Sequence, residues 1–143
     1  MNKVQAGRLL TLAWYLRHNV KKSQFDLSSF AAVDYYDFRE EYPEAAVENH
    51  IPAKTFEEVL ERYPKCRSSA CALGHATSIW PKKFQLVDCV HDHLSYFDLV
   101  SVRGISLDLS GPYVCDFFGL EESEARALFS ASHTHVPTSK RPK

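Results

Sequence analysis

Six potential metal ligands stand in two short stretches of the chain. In chain order they are Cys66, Cys71, His75, Cys89, His91 and His93. The second and third are four residues apart, so they would share one face of a helix. The last three alternate, so an extended segment would point them in one direction. Zinc binds thiolates and imidazoles, usually in a tetrahedral set of four. One interpretation is therefore a zinc- or small-ligand-binding module centred on Cys66–His75 and Cys89–His93.

Packing explains the same residues more simply. Their spacing matches none of the common two-knuckle zinc patterns. Cys71 would be a small core residue, and His75 would pack or hydrogen-bond at the edge of a helix. A Cys66–Cys71 disulfide is a further option, which an intracellular setting disfavours. We expect no cofactor, with zinc as the alternative.

Nucleophilic catalysis would need a thiolate with a base within hydrogen-bond reach. Cys66 precedes Arg67 and stands near a predicted helix start, a setting that lowers the pKa of a thiol. However, no peptidase-like motif surrounds it, and the chain contains no G-x-S-x-G elbow and no glycine-rich phosphate loop. We therefore predict that the protein is not an enzyme.

A second kind of chemistry lies further upstream, where acidic and aromatic residues are interleaved. The candidate binding residues are Asp34, Tyr35, Tyr36, Asp37, Phe38, Glu40, Glu41 and Tyr42. Aromatic side chains anchor protein interfaces, and carboxylates steer a basic partner into place. The sequence therefore predicts that the region 34–48 binds another protein, for example one that itself binds nucleic acid. A merely solvated acidic face is the simpler alternative.

Composition sets the limits on the whole chain. Its 143 residues, 45% of them apolar, predict one globular domain over 1–131 followed by a flexible basic tail over 132–143. The net charge of −1 favours neither nucleic acid nor membrane as a partner, and we do not expect direct nucleic-acid binding. No apolar run is long enough to cross a bilayer, so we predict a cytoplasmic protein without membrane contact.

The elements that must position these residues are mostly helical. Leu9, Leu12, Ala13 and Leu16 predict an amphipathic helix over 2–17. Thr55 and Glu58 form a capping-box pattern for a second helix. A third should run from about Ser69 to Ile79, capped by Ser68 or Ser69, with Gly74 allowing close approach by another group. The last two predicted helices span Pro112–Phe118 and Glu121–Ser130. In the second of them, Ala125, Leu128 and Phe129 should face inward.

Two alternating runs around Arg103-Gly104 predict a short β-hairpin near 99–109. The expected fold class is therefore mainly α (α+β), as one compact domain of about four to six helices.

Three separated pieces of the chain resemble an uncharacterised family of small bacterial and phage proteins. The family pattern is F-D-M-S-x-W, then C-G-T-x-x-C-x-A-G-W/H-A, then L-G-L-x4-A-x-x-L-F. The matching segments here are Phe25–Phe30, Cys66–Ala76 and Phe118–Phe129. Arg67-Ser68 replaces Gly-Thr, and Phe30 replaces Trp. The resemblance implies a shared fold and a phage or mobile-element context, without an activity. It also disfavours a metal at His75, since relatives with Trp there could not bind one.

The functional expectation combines these points. We predict a non-enzymatic phage or mobile-element interaction protein that inhibits a host protein, such as a defence protein, through its acidic-aromatic surface. It would act in the host cytoplasm.

Overall fold

The computed structural model describes residues 1–90 and 94–129, with only the backbone described at 89, 90, 94 and 95. This part of the chain forms an α+β fold. Its helices are α1 (Lys3–Asn19), α2 (Tyr35–Glu41), α3 (Pro43–Ala46), α4 (Phe56–Arg62), α5 (Ala72–Ile79), α6 (Pro112–Phe118) and α7 (Glu122–Phe129), with a 3₁₀ turn at Lys22–Gln24. Its strands are β1 (Ala31–Asp34), β2 (Ser68–Ala70), β3 (Gln85–Val90) and β4 (Leu94–Val100).

The four strands form one antiparallel sheet in the order β2-β1-β4-β3. Ala31 pairs with Ala70 on one side and with Phe97 on the other. All three are buried, because alternate side chains of each strand face the core. The expected fold was thus too poor in strand, and the described residues hold seven α-helices where four to six were predicted.

The predicted hairpin near 99–109 is only partly correct. Its first strand is the end of β4, whose main partner is the preceding strand β3. The chain does reverse at Arg103-Gly104, where Gly104 has a φ of +79°. The return makes a single bridge between Val100 and Ser106, so no second regular strand forms.

Helix α5 begins later than predicted. Ser68 and Ser69 lie in β2, and Cys71 is the N-cap, without a side-chain hydrogen bond. Pairing with β1 holds Ser68 and Ser69 in an extended conformation, although their hydroxyl side chains favour the N-cap position of a helix. A Cβ atom on Gly74 would lie 1.7 Å from the carbonyl oxygen of Phe30, so the predicted close approach is confirmed.

The other helix ends follow local signals. Glu58 donates its backbone N–H to the Thr55 hydroxyl over 3.1 Å, as predicted, while its carboxylate accepts from the backbone N–H of Lys54. Gly119, with a φ of +68°, ends α6. The prediction that Leu128 faces inward is wrong, since this residue is exposed, and Ala13, which belongs to the predicted apolar stripe of α1, is exposed as well.

Helix α1 attaches to α6 through polar contacts rather than through its leucines alone. Arg8 donates to the carbonyl oxygen of Phe117 over 2.8 Å and lies over the ring of the same residue. Leu12 is the buried residue of α1. The opposite face exposes Leu10 and Trp14, so both faces of this helix carry apolar side chains. One hydrophobic cluster extends from Leu12 to Phe129.

Candidate functional site

The acidic-aromatic segment begins at the junction between β1 and α2. Asp34 is the last residue of the strand and the N-cap of the helix. Its carboxylate accepts the backbone N–H of Asp37 over 3.1 Å, which satisfies one of the free amides of the first turn. This acid therefore has a structural task within the fold.

Arg67, which directly precedes β2, holds both aspartates. Its guanidinium donates to the two carboxylate oxygens of Asp37 over 2.9 and 3.1 Å and lies 3.0 Å from the carboxylate of Asp34. Its backbone N–H also reaches Asp37. These bonds to Arg67 lower the pKa of the Asp37 carboxyl group. Both aspartates are thus already paired, where we had expected them to face a partner.

The aromatic residues of the segment divide between core and surface. Tyr35 and Phe38 are buried, and Tyr42 is half-buried. Phe38 and Tyr42 both pack edge-on against Tyr63 of the α4 C-cap, with ring centroids 5.1 and 5.2 Å away. Of the four aromatic side chains of this segment, only that of Tyr36 is exposed, so the other three pack within the fold instead of facing a partner.

What remains exposed is a smaller surface on α2 and the α3 region. We define the acidic surface as Tyr36, Glu40, Glu44, Val47 and Glu48, all of them exposed. Val47, at the C-terminal end of α3, is 83% exposed. Glu41 is exposed as well, but its carboxylate lies 3.8 Å from the Lys65 ammonium group. Glu44, Val47 and Glu48 lie within the predicted region 34–48 but were not among its candidate binding residues, because nothing in the sequence distinguishes their exposure from that of neighbouring positions.

His75 occupies a packed position on α5. Its Nε2 atom lies 2.8 Å from the carbonyl oxygen of Gln24. The ring stacks parallel to Phe25 at 6.3 Å and packs edge-on against Phe56 at 4.9 Å. Burial lowers the pKa of His75, an effect that the nearby backbone carbonyls partly oppose. A ring engaged in this way is not presented as a metal ligand.

Within the described ranges, no three His, Cys, Asp or Glu side chains lie close enough together to hold a metal ion. Cys66, Cys71 and His75 therefore do not form the cluster on which the zinc alternative depended. His91, His93 and the side chain of Cys89, the other half of that alternative, lie outside the described residues.

The buried thiols of Cys66 and Cys71 are not in a setting that lowers their pKa. Burial raises the pKa of Cys66 to about 11, and Asp37, Asp34 and Glu41 act in the same direction. Burial likewise raises the pKa of Cys71 to about 11. The expectation of a lowered pKa at Cys66 is wrong, because this residue stands before a strand and close to carboxylates. Cys66 and Cys71 are free thiols, so the disulfide option is not realised.

A cleft that the sequence did not reveal lies between the Arg103-Gly104 reversal and the start of α6. It has a volume of about 660 Å³, and its walls include Lys82, Lys83, Arg103 and Tyr113. The turn signal at Arg103-Gly104 was visible in the sequence. Its proximity to a lysine pair twenty residues earlier depends on tertiary contacts.

The chain matches no protein-family model, no curated protein and no solved structure. Over residues 1–90 and 94–129, no helix combines the length and the apolar character needed to cross a bilayer.

Proposed function

We propose that this chain is a non-enzymatic interaction protein that binds a basic patch on another protein through its acidic surface. The observation that carries the proposal is the grouping of exposed carboxylates with exposed apolar side chains. Glu40, Glu44 and Glu48 have no ion-pair partner among the described residues, and they share α2 and the α3 region with Tyr36 and Val47.

In this proposal, the carboxylates and the exposed aromatic residue have separate roles. The carboxylates attract a cationic partner over several ångströms and raise the rate of association. Tyr36 is the aromatic anchor, and the guanidinium of Arg39 lies 5.2 Å from its ring centroid. Asp34 and Asp37 contribute indirectly, because their contacts with Arg67 link the start of α2 to the residue before β2.

The biological context of the proposal rests on the resemblance to the family of small bacterial and phage proteins. The resemblance supports a phage or mobile-element protein that acts on a host protein in the host cytoplasm. A defence protein with a basic channel for nucleic acid is the kind of partner that fits the acidic surface best. The proposed effect is inhibition by occupying that channel.

A capture experiment with charge-matched variants tests the proposal. The first variant carries Glu40→Gln, Glu44→Gln and Glu48→Gln; the control carries Glu57→Gln, Asp116→Asn and Glu121→Gln at other exposed positions. Each removes three negative charges. We expect the immobilised wild type and the control to retain the same host protein, and the first variant to lose it. Equal retention by both variants would contradict the proposal.

A further inference from the structure

The cleft beside α6 combines cationic groups with apolar walls. Among the described residues, Lys82, Lys83 and Arg103 contribute to its lining, against a single carboxylate, that of Asp108. This excess of positive charge is local, since the whole chain has a net charge of −1. A concave site with one sign of charge focuses the field on a ligand of the opposite sign.

Two apolar residues of the lining are largely exposed, whereas Leu107 at the same cleft is buried. Val102 and Ile105 are 56% and 62% exposed, although both are large aliphatic residues. Tyr113 adds an aromatic ring, packed edge-on against Phe84 with centroids 5.8 Å apart. Exposed apolar side chains next to cations fit a ligand that has both an apolar body and an anionic group.

Several hydrogen bonds hold the walls in place. The Ser101 hydroxyl accepts the backbone N–H groups of Arg103 and Ile105, each over 3.3 Å, and the backbone N–H of Ser101 donates to the carbonyl of Ile105 over 2.9 Å. On the opposite side, the Tyr113 hydroxyl donates to the carbonyl of Lys83 over 2.9 Å. The cleft is therefore preformed, which reduces the entropy lost when a ligand binds.

We propose that this cleft binds a small phosphate monoester that carries an aromatic ring, a class that includes both the nucleoside monophosphates and the aryl phosphates. Its volume of about 660 Å³ lies within the range of sites for ligands of this size. Arg103 and Lys83 bind the phosphate, and the aromatic body lies against Ile105 and Tyr113. The site shares no residue with the acidic surface, so its ligand would act in addition to the protein partner.

Titration calorimetry of the full chain tests the proposal with two aromatic phosphate monoesters, adenosine 5′-monophosphate and 1-naphthyl phosphate. Adenosine and inorganic phosphate serve as half-ligands. We expect at least one of these monoesters to bind with a Kd below about 1 mM, about tenfold or more tighter than either adenosine or inorganic phosphate alone. Failure of both monoesters to bind, or binding no tighter than inorganic phosphate or than adenosine, would overturn the proposal.

Variants locate the binding. Replacement of Lys83 and Arg103 by alanine should weaken binding about tenfold or more, because charge-assisted hydrogen bonds to the phosphate are lost. The control replaces Lys3 and Arg17 on α1, which removes the same charge at exposed helical positions and should leave the Kd unchanged. Equal weakening in both variants would show a general charge effect and would contradict a site in the cleft.

Discussion

At the scale of single residues, the fold uses the most reactive-looking groups for packing. The imidazole of His75 lies between Phe25 and Phe56, and its Nε2 atom faces the carbonyl oxygen of Gln24. Because a carbonyl oxygen only accepts hydrogen bonds, Nε2 carries a proton and the neutral ring satisfies this contact. Protonating the second nitrogen would place a charge inside the core.

This burial makes stability depend on pH. Desolvation lowers the pKa of His75 below its ordinary value of 6.5, so the unfolded chain binds a proton more readily than the folded one. The contribution of the neutral ring is complete above pH 6.5 and is lost as the pH falls through the folded-state pKa. We predict that the free energy of unfolding, measured with urea, decreases between about pH 7.5 and 5.5.

Two histidine variants assign that pH dependence. His75→Gln keeps a hydrogen-bond donor near Gln24 but cannot titrate, so its unfolding free energy should decrease less over the same range. His18→Gln makes the same exchange at an exposed position of α1 and should behave like the wild type, because it retains His75. A His75→Gln profile that parallels the wild type would contradict this account.

At the scale of elements, a close contact at the centre of the fold joins α5 to the segment before β1. The backbone N–H of Cys71 lies within hydrogen-bond distance of the carbonyl oxygens of Ser29 and Phe30. One turn later, Gly74 leaves room for the Phe30 carbonyl at the helix surface. The segment from Cys66 to Ala76 thus contains β2 and the first part of α5, and the helix packs against the segment before β1.

A pair of glycine substitutions tests this contact. Gly74→Ala should lower the free energy of unfolding by about 3 kcal/mol, because its Cβ atom would overlap the Phe30 oxygen. Gly7→Ala in α1 meets no atom within 4 Å and should raise it by about 1 kcal/mol through helix propensity. Urea denaturation measures both changes. A Gly74→Ala protein as stable as the wild type would contradict the packing described.

The elements that could be predicted from sequence are those with local causes. Pro112 and Gly119 bound α6, and the Thr55 hydroxyl caps α4, because each acts on its own backbone. Ser68 and Ser69 look like caps for the same local reason. Their strand forms instead because β1, more than thirty residues earlier, pairs with it. A single sequence carries no direct record of such a pairing.

The candidate site shows the same division. Its location on the segment from Asp34 to Glu48 follows from composition, but which side chains face solvent does not. Phe38 is buried because Tyr63 lies beside it. Asp37 forms an ion pair because the fold brings Arg67, thirty residues later in the chain, next to it. Exposure was therefore the property that sequence reasoning could not assign.

At the scale of the molecule, the small net charge hides a strong segregation. Residues 1–22 contain five lysines and arginines and no acid, whereas Glu40, Glu44 and Glu48 lie close together in sequence on the acidic surface. The cleft at Arg103 is a second concentration of positive charge. A molecule with this distribution can offer a different surface to each of two ligands.

The association rate constant with the captured partner tests the central claim most directly, because steering charges act mainly on that rate. We expect replacement of Glu40, Glu44 and Glu48 by glutamine to lower it about tenfold at about 50 mM NaCl and to reduce its dependence on salt. The control variant at Glu57, Asp116 and Glu121 has the same net charge and should associate nearly as fast as the wild type. Equal rates for the two variants at every salt concentration would contradict the account.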